Sequence, residues 1–507
     1  MANNSDKYGY VVDAVYADRF YKEQSPVWLN YVAMLHGSAP RDLNQPFHYL
    51  ELGCGFGNSV LVNAGAYPHG HFIACDINPD HIIEARSRAE RFAIHNVEFQ
   101  QASFEELLAQ EQLPQFDFIV LHGVYSWVAT EVRTTIRQIL ATHLKPGGLV
   151  YISYNCKPGW SPEEPLRKLL VELSRTEAGD SAQRARGALQ TLNQLSSKLN
   201  YFKQHPSVIT GLNAYIHESD NYLAHEFLNH SWQTFYSVDI AEEMNNIGLA
   251  FVGSATLVDN HPFLLVDEAT HEAINQLPTD RQRQLAFDFA CNRRFRRDIF
   301  INGTVEPQKS LLELVSHIPF AAIKDPEFIT DIVTTPRGKI SFGKSFMVEL
   351  RTLMKQGAIS FHQTLAHMGG KSRNEMEILR NLVFLIAAGE LQVCQNVHVA
   401  GTGNRVASPT IRKMLEFIIE TGAALPLPSP VLGNGFPLDV VEAVALVSWL
   451  DGAENREQLV SPVQQYLRQR HRATALRGEE LDSQGRRIGK QVWNVLVPQM
   501  VGLGIFT

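Results

Sequence analysis

The residues best placed to do chemistry lie in one stretch and its immediate sequels. His48-Tyr49-Leu50-Glu51-Leu52-Gly53-Cys54-Gly55-Phe56-Gly57-Asn58 is an apolar run that stops in a glycine-rich turn and leads into a helix-compatible segment. Gly53, Gly55 and Gly57 admit positive φ and let a ligand approach the backbone, while the following helix aims its free N–H groups at the ligand's polar end. Three glycines in a tight turn are common; Glu51 before the turn and Asp76 at the end of the next apolar run make this one specific. A carboxylate at Asp76, followed by Ile77, is placed to accept hydrogen bonds from both ribose hydroxyls of an adenosine. The chemistry is that of a nucleotide site.

A dinucleotide fingerprint needs its third glycine one residue later, where Asn58 sits, whereas Gly53-x-Gly55-x-Gly57 suits the single adenosine of S-adenosylmethionine. Glu51 is placed to orient that cofactor's ammonium group. Glu51, Gly53, Cys54, Gly55, Asn58, Asp76 and Ile77 are therefore candidate cofactor contacts. Ser103 and Phe104 follow the third strand, where an adenine would lie, although a helix cap plus a core aromatic explains the pair as well. The loop Leu121-His122-Gly123-Val124-Tyr125-Ser126-Trp127-Val128 is unusually aromatic. Exposed Tyr125 and Trp127 would line a channel that desolvates an amine and holds it by cation–π contact, with core packing the plainer account of Trp127. His122 is a candidate cofactor contact and a candidate base; the alternative is a structural hydrogen-bonding role. Asn155, after Tyr154, is placed to hydrogen-bond the nucleophile. For a lysine acceptor, forming the neutral amine at pH 7 costs about 4.6 kcal/mol, a cost that burial beside a sulfonium lowers.

The elements that must position these residues alternate. Phe47–Leu52, His71–Asp76, Val97–Gln100, Phe116–Leu121 and Leu149–Tyr154 read as strands. Ser59–Ala66, Pro79–Ala93, Phe104–Gln110 and Thr130–Leu144 read as the helices between them, with Lys145-Pro146-Gly147-Gly148 a turn. This βα alternation argues for an α/β fold, a doubly wound Rossmann-like parallel sheet with the ligand at the strand C-termini. Before it, an aromatic segment (Tyr8, Tyr10, Tyr16, Phe20, Tyr21) and a helix from Pro26 to His36 either lid the ligand or pack on the sheet edge. After it come a helical insertion over about 162–230, then strand Phe235–Val238, helix Ile240–Asn246 and strand Leu249–Val258. Helices are expected over Glu268–Leu277 and Arg281–Phe300, the latter carrying Arg293, Arg294, Arg296 and Arg297 as salt-bridged helix surface in preference to a phosphate site.

From about Ser310 the pattern is helix, glycine, apolar strand, occurring twice. Phe346–Lys355, Ser360–His367 and Asn374–Ala388 precede a strand-like Leu391–Val399; Pro437–Leu450, Asn455–Gln469 and Gln491–Val501 end in Gly502-Leu503-Gly504-Ile505. Two winged-helix-like units joined by the proline- and glycine-rich loop Ala423–Phe436 are expected. The boundaries that follow are 1–265 for the nucleotide-binding domain, with a further segment starting near 220, then 266–309, 310–422 and 423–507.

At 507 residues the chain calls for several cores. A net charge of -8 disfavours general nucleic-acid binding. The five cysteines (Cys54, Cys75, Cys156, Cys291, Cys394) show neither metal-ligand spacing nor a disulfide framework, as expected of a reducing cytoplasm. No apolar run is long enough to span a bilayer, and a homodimer is left open.

Taken together, Glu51 to Asn58, Asp76, the Lys145–Gly148 turn and the loop His122 to Val128 resemble class I S-adenosylmethionine-dependent methyltransferases. His122-Gly123-Val124-Tyr125-Ser126-Trp127, Tyr154-Asn155-Cys156-Lys157-Pro158-Gly159-Trp160, His225-Glu226-Phe227-Leu228 and Asn292-Arg293-Arg294-Phe295-Arg296 are similar to bacterial members with a methyltransferase regulatory domain, among them the rickettsial protein lysine methyltransferases. The resemblance implies a Rossmann-like catalytic domain, a middle regulatory domain, a C-terminal domain and S-adenosylmethionine as cofactor. It also implies that Glu51, Gly53, Gly55 and Asp76 bind the cofactor and that Tyr125 and Asn155 face the acceptor. Cys156-Lys157 and Ser103 depart from the family pattern, at the acceptor and adenine sides respectively. The expected acceptor is a protein side chain, most plausibly lysine. The alternatives are a small-molecule N- or O-methyltransferase and a non-catalytic cofactor-binding regulatory module.

Overall fold

The structure, a computed structural model, describes residues 19–38, 41–303, 311–335, 337–368, 374–397, 405–470 and 478–506. Tyr8, Tyr10 and Tyr16 lie outside the described residues. Seven strands form one sheet: β1 (His48–Leu52), β2 (His71–Asp76), β3 (Val97–Gln101), β4 (Phe116–Leu121), β5 (Leu144–Asn155), β6 (Leu249–Ser254) and β7 (Phe295–Asn302), in the order β3-β2-β1-β4-β5-β7-β6. β1 to β5 are parallel, and β7 inserts antiparallel between β5 and β6. Every residue of β4 is buried, as a continuous apolar run at the centre of a sheet covered on both faces requires.

The covering helices are α1 (Pro26–Leu35), α2 (Asn58–Ala66), α3 (Pro79–Phe92), α4 (Phe104–Leu108) and α5 (Thr130–His143). Pro26 opens α1 at a position where its missing N–H costs nothing. Asn78 caps α3 through the Asp80 N–H. Strand order reverses between β1 and β4, which puts the ligand crevice at their carboxyl ends.

Three expected elements differ. Residues Arg281–Phe300 do not form one helix: the helix is Asp280–Ala290, Asn292 takes positive φ, and Phe295–Asn302 is β7. The run Ile299-Phe300-Ile301 is the apolar signature of a buried strand, and the arginines around it hid that signature. The segment expected as strand Phe235–Val238 makes a single bridge, Phe235 to Cys156, and helix Ser237–Asn245 begins at once. Lys145–Gly148 is not a turn before β5 but an outward loop within it, since Leu144 pairs with Phe116 and Leu149 already pairs with Phe118.

The helical insertion runs from Glu164 to Leu228 around its own core of Trp160, Leu166, Leu189, Phe202 and Phe227. Beyond the sheet, Pro319–Ala321 pairs with both Ile359–Ser360 and Gln392–Val393 beneath helices Lys344–Met354, Phe361–Met368 and Glu375–Ala387, a winged-helix-like arrangement. The following unit is built from helices Val440–Leu450, Glu457–Arg470, Gly478–Gln491 and Val497–Gly502, with one bridge from Ala407 to Phe506 in place of a three-stranded sheet. Helix Pro409–Thr421 precedes the expected linker, which holds a hairpin, Leu427–Ser429 with Asn434–Phe436, packed on α2.

Candidate active site

The glycine turn hangs from β2. The Gly53 and Cys54 N–H groups donate to the Cys75 carbonyl at 2.8 and 3.0 Å, and the Gly55 N–H donates to Asp76 Oδ2 at 2.9 Å. Gly53 and Gly57 have φ of 74° and 77°, and a Cβ there would meet Val124 at 2.5 Å and Phe99 at 2.7 Å. Gly55 is different: among the described residues nothing lies within 4 Å of where its Cβ would be, which leaves that side open to a ligand.

Two adjoining cavities share Gly53, Gly55, His81 and His122. The larger is walled by Asp76, Ile77, Ser103, Phe104 and the apolar Val124, Val128 and Val132, and suits a flat heterocycle. The smaller is walled by Glu51, Cys54, Asn58, Ser59 and, from the segment before α1, Arg19, Tyr21 and Gln24. Asp76 Oδ1 accepts from the Asn78 N–H at 2.9 Å and sits 3.3 Å from His81 Nδ1. A carboxylate offers about four acceptor positions, so capacity for hydroxyl donors is left over. Asn58 Oδ1 accepts from Arg88, which fixes the start of α2.

Glu51 is buried, and its Oε2 has no hydrogen-bond partner among the described residues. Burial first, and then the charge of Asp76, push its carboxyl up to about 8. A buried acid of this kind is relieved by a cation, and S-adenosylmethionine carries an ammonium and a sulfonium; the open Gly55 cradle and Asp76 accommodate the rest. The residues present therefore fit that cofactor.

Ser103 is an N-cap: its Oγ accepts from the Glu106 N–H at 3.2 Å and its own N–H donates to Glu106 at 2.8 Å. Cap and cavity wall are compatible, because the residue faces both. His122 shares a 2.7 Å hydrogen bond with the Tyr151 hydroxyl and stacks on Tyr21 at 3.7 Å. Burial, aided by Arg297, lowers its pKa to about 3. A ring held neutral that far down has little proton affinity, which fits the hydrogen-bonding role and not the base.

The acceptor side departs from expectation. Tyr125 is fully buried; its hydroxyl donates to Glu243 Oε2 at 2.5 Å beside Arg137, and its ring packs near Phe235. Trp127 is buried as well, so the exposed aromatic channel expected of this pair does not form. The reason is that a buried phenol needs a polar partner, and the Glu243–Arg137 pair supplies one inside the protein. Asn155 lies buried at the end of β5, its N–H donating to Ser126 Oγ at 2.8 Å and its side chain to Glu226 at 3.4 Å. Neither Tyr125 nor Asn155 lines the two cavities.

The four arginines are salt-bridged, on and before a strand instead of on a helix. Arg293 pairs with Asp259, Arg294 with Glu163, Arg296 with Asp288 and Asp298, and Arg297 with Glu23. Tyr21 belongs to the aromatic segment expected to lid the ligand or pack on the sheet edge, and it lines the smaller cavity; cavity residues with no such signal in the sequence include His81, hidden in a charged helix, and Arg19, Gln24 and Ser59.

A 3-2-1-4-5-7-6 sheet with β7 reversed, a glycine turn after β1 and an acid ending β2 define a class I methyltransferase. Residues 43–205 match the profile of a methyltransferase domain, and residues 219–302 that of a "predicted methyltransferase regulatory domain". An uncharacterized protein of Synechocystis is 31% identical over 443 residues, 87% of either chain. An uncharacterized protein of Rickettsia prowazekii is 27% identical over 299 residues, 57% of this chain and 52% of that one. PKMT2 from Rickettsia typhi superposes with a TM-score of 0.69 at 18% identity, covering 97% of this chain and all of that one, and its complex with AdoHcy gives 0.70 at 19% identity, covering 97% and 99%. At such identities the likeness is one of fold. The chain belongs to the S-adenosylmethionine-dependent methyltransferases that carry a methyltransferase regulatory domain.

Proposed function

We propose that this methyltransferase acts on protein side chains, lysine above all. The observation that carries the reading is the extent of the chain beyond the catalytic sheet. After β7 ends at Asn302, two further helical units continue to Phe506, and the likeness to PKMT2 runs through them. A small-molecule site has no need of such surfaces, whereas a protein acceptor does.

When bound, S-adenosylmethionine supplies a methyl group on a positively charged sulfur. Glu51 would hold its ammonium, Asp76 its ribose hydroxyls, and Ile77, Ser103 and Phe104 its adenine, with Gly53, Cys54, Gly55 and Asn58 shaping the turn beneath it. His122 contributes a neutral face between the two cavities. In-line methyl transfer needs positioning and exclusion of water more than a strong base, and a buried approach to the sulfonium favours the neutral amine. Five free cysteines, four of them buried, accord with a reducing cytoplasm as its setting.

The test is to incubate the purified protein with methyl-labelled S-adenosylmethionine and a bacterial lysate, then locate the label by mass spectrometry. Methyl-lysine in protein is the expected product. Label confined to the low-molecular-weight fraction would overturn the protein acceptor.

A further inference from the structure

The smaller cavity is roofed by a short strap, residues 19–25, which the structure holds from several sides. The Tyr21 N–H donates to Ser59 Oγ at 3.1 Å, and the Tyr49 hydroxyl donates to the Gln24 carbonyl at 3.1 Å. These bonds come from the methyltransferase core. A third set comes from the far end of the chain: Asn434 Nδ2 donates to the Lys22 carbonyl at 3.2 Å and to Ser25 Oγ at 2.9 Å. Asn434 is fully buried, and its Oδ1 accepts from the Gly435 N–H at 2.8 Å, so its amide is oriented and both ends are used. Next to it, a Cβ on Gly435 would lie 2.9 Å from Val62 of α2 and 3.1 Å from Phe20 of the strap. Only a residue without a side chain lets the hairpin approach both at once.

The hairpin is anchored in turn. Ser429 Oγ donates to the Leu503 carbonyl at 2.5 Å and accepts from the Leu432 N–H at 3.0 Å. The strap is thereby connected to Leu503, the residue that closes helix Val497–Gly502. Its one aromatic ring at the cavity, Tyr21, lies flat on His122 in the lobe that also contains Glu51.

We propose that Tyr21 contacts the bound cofactor on its cationic side and that Asn434 is a positioning residue that acts through Tyr21, which makes the C-terminal hairpin part of the active site. Tyr21 presents a π face in the lobe that contains Glu51; with Glu51 taking the ammonium that both ligands carry, the ring is the feature that favours a sulfonium over a neutral thioether. The inference rests on the cofactor alone, and it stands or falls independently of which acceptor is methylated.

Calorimetric binding of S-adenosylmethionine and of S-adenosylhomocysteine to the full-length protein tests it, with the melting temperature recorded for each variant. Tyr21→Ala should weaken S-adenosylmethionine about tenfold and the neutral-sulfur product less, while Tyr21→Phe keeps both affinities. Asn434→Ala should reproduce part of that selective loss and add nothing in the Tyr21→Ala background. Ser25→Ala, which removes one of the latch bonds from the strap side, should act in the same direction if Asn434→Ala fails to fold. Equal losses for both ligands in Tyr21→Ala, or an Asn434→Ala effect that persists undiminished without Tyr21, or a lowered melting temperature with unchanged affinities, would overturn the proposal.

Discussion

At the carboxyl ends of β1 and β2 the cavities border on the backbone of a glycine turn. Amides of Gly53, Cys54 and Gly55 are tied to Cys75 and Asp76, and the side chains that intrude are two carboxylates. At the end of β5 and the start of β7 the arrangement is reversed: Tyr154, Asp288, Arg296 and Asp298 fill the space with buried charge that closes on itself. The first region spends its turn amides within the fold and leaves acceptor capacity on Glu51 and Asp76 for a ligand. The second spends them inward, on the junction between the methyltransferase sheet and the segment 219–302 matched by the regulatory-domain profile. Substitutions in the first region should therefore register in binding, and in the second in stability.

The largest expected effect is Arg296→Ala. It leaves Asp298 buried without its cation and Asp288 with only the more distant Arg293 at 3.9 Å, and should cost about 3–5 kcal/mol in urea unfolding. A loss below 1 kcal/mol would show that the network is hydrated and that the contrast drawn above is false. Asp76→Ala comes next, weakening cofactor affinity by about 2 kcal/mol in calorimetry through the loss of a charged acceptor, with unchanged affinity placing the ribose elsewhere.

Glu51 sharpens the comparison through pH. Its folded pKa of about 8 lies above that of an unfolded glutamate, so its contribution to stability is complete below about pH 4.3 and is lost as pH rises through about 8. The ligand-free protein should thus lose stability over that window, and Glu51→Gln should flatten the slope. Affinity for the cationic cofactor runs the opposite way, rising about fivefold between pH 7 and 8 as the carboxylate form becomes available. A pH-independent affinity in the native protein would show that Glu51 does not meet the cation. The smallest effect is Tyr125→Phe, about 1 kcal/mol of stability from the bond to Glu243, with cofactor affinity and turnover retained. A tenfold fall in turnover without loss of stability would return Tyr125 to the acceptor site.

The contrast also explains what could be read from the amino acids. Strands β1, β2 and β4 and the cavity residues Gly53, Gly55 and Asp76 are legible because the signal is local: apolar runs stop at glycines, and an acid follows at fixed distance. Tyr125 is not legible in the same way. Its direction depends on Glu243, a residue 118 positions away, and an aromatic loop looks the same whether it faces a cavity or a buried acid. β7 was hidden for a related reason, since Arg296 and Arg297 resemble a solvated helix face until Asp288, Asp298 and Glu23 are brought beside them. Tyr21 could be noticed as part of an aromatic segment, but its partner Ser59 and the latch at Asn434 come only with the tertiary fold.

That latch has a bearing on how the protein comes into being. A cavity roofed near residue 21 and fastened by residue 434 cannot be completed on the ribosome until most of the chain has been made. At about 5–20 residues per second, the roughly 410 residues that separate Tyr21 from Asn434 take about 20–80 s to make. Until then a nascent chain with a fully translated β1 to β5 has the glycine turn and the core's own bonds to the strap but not the Asn434 latch.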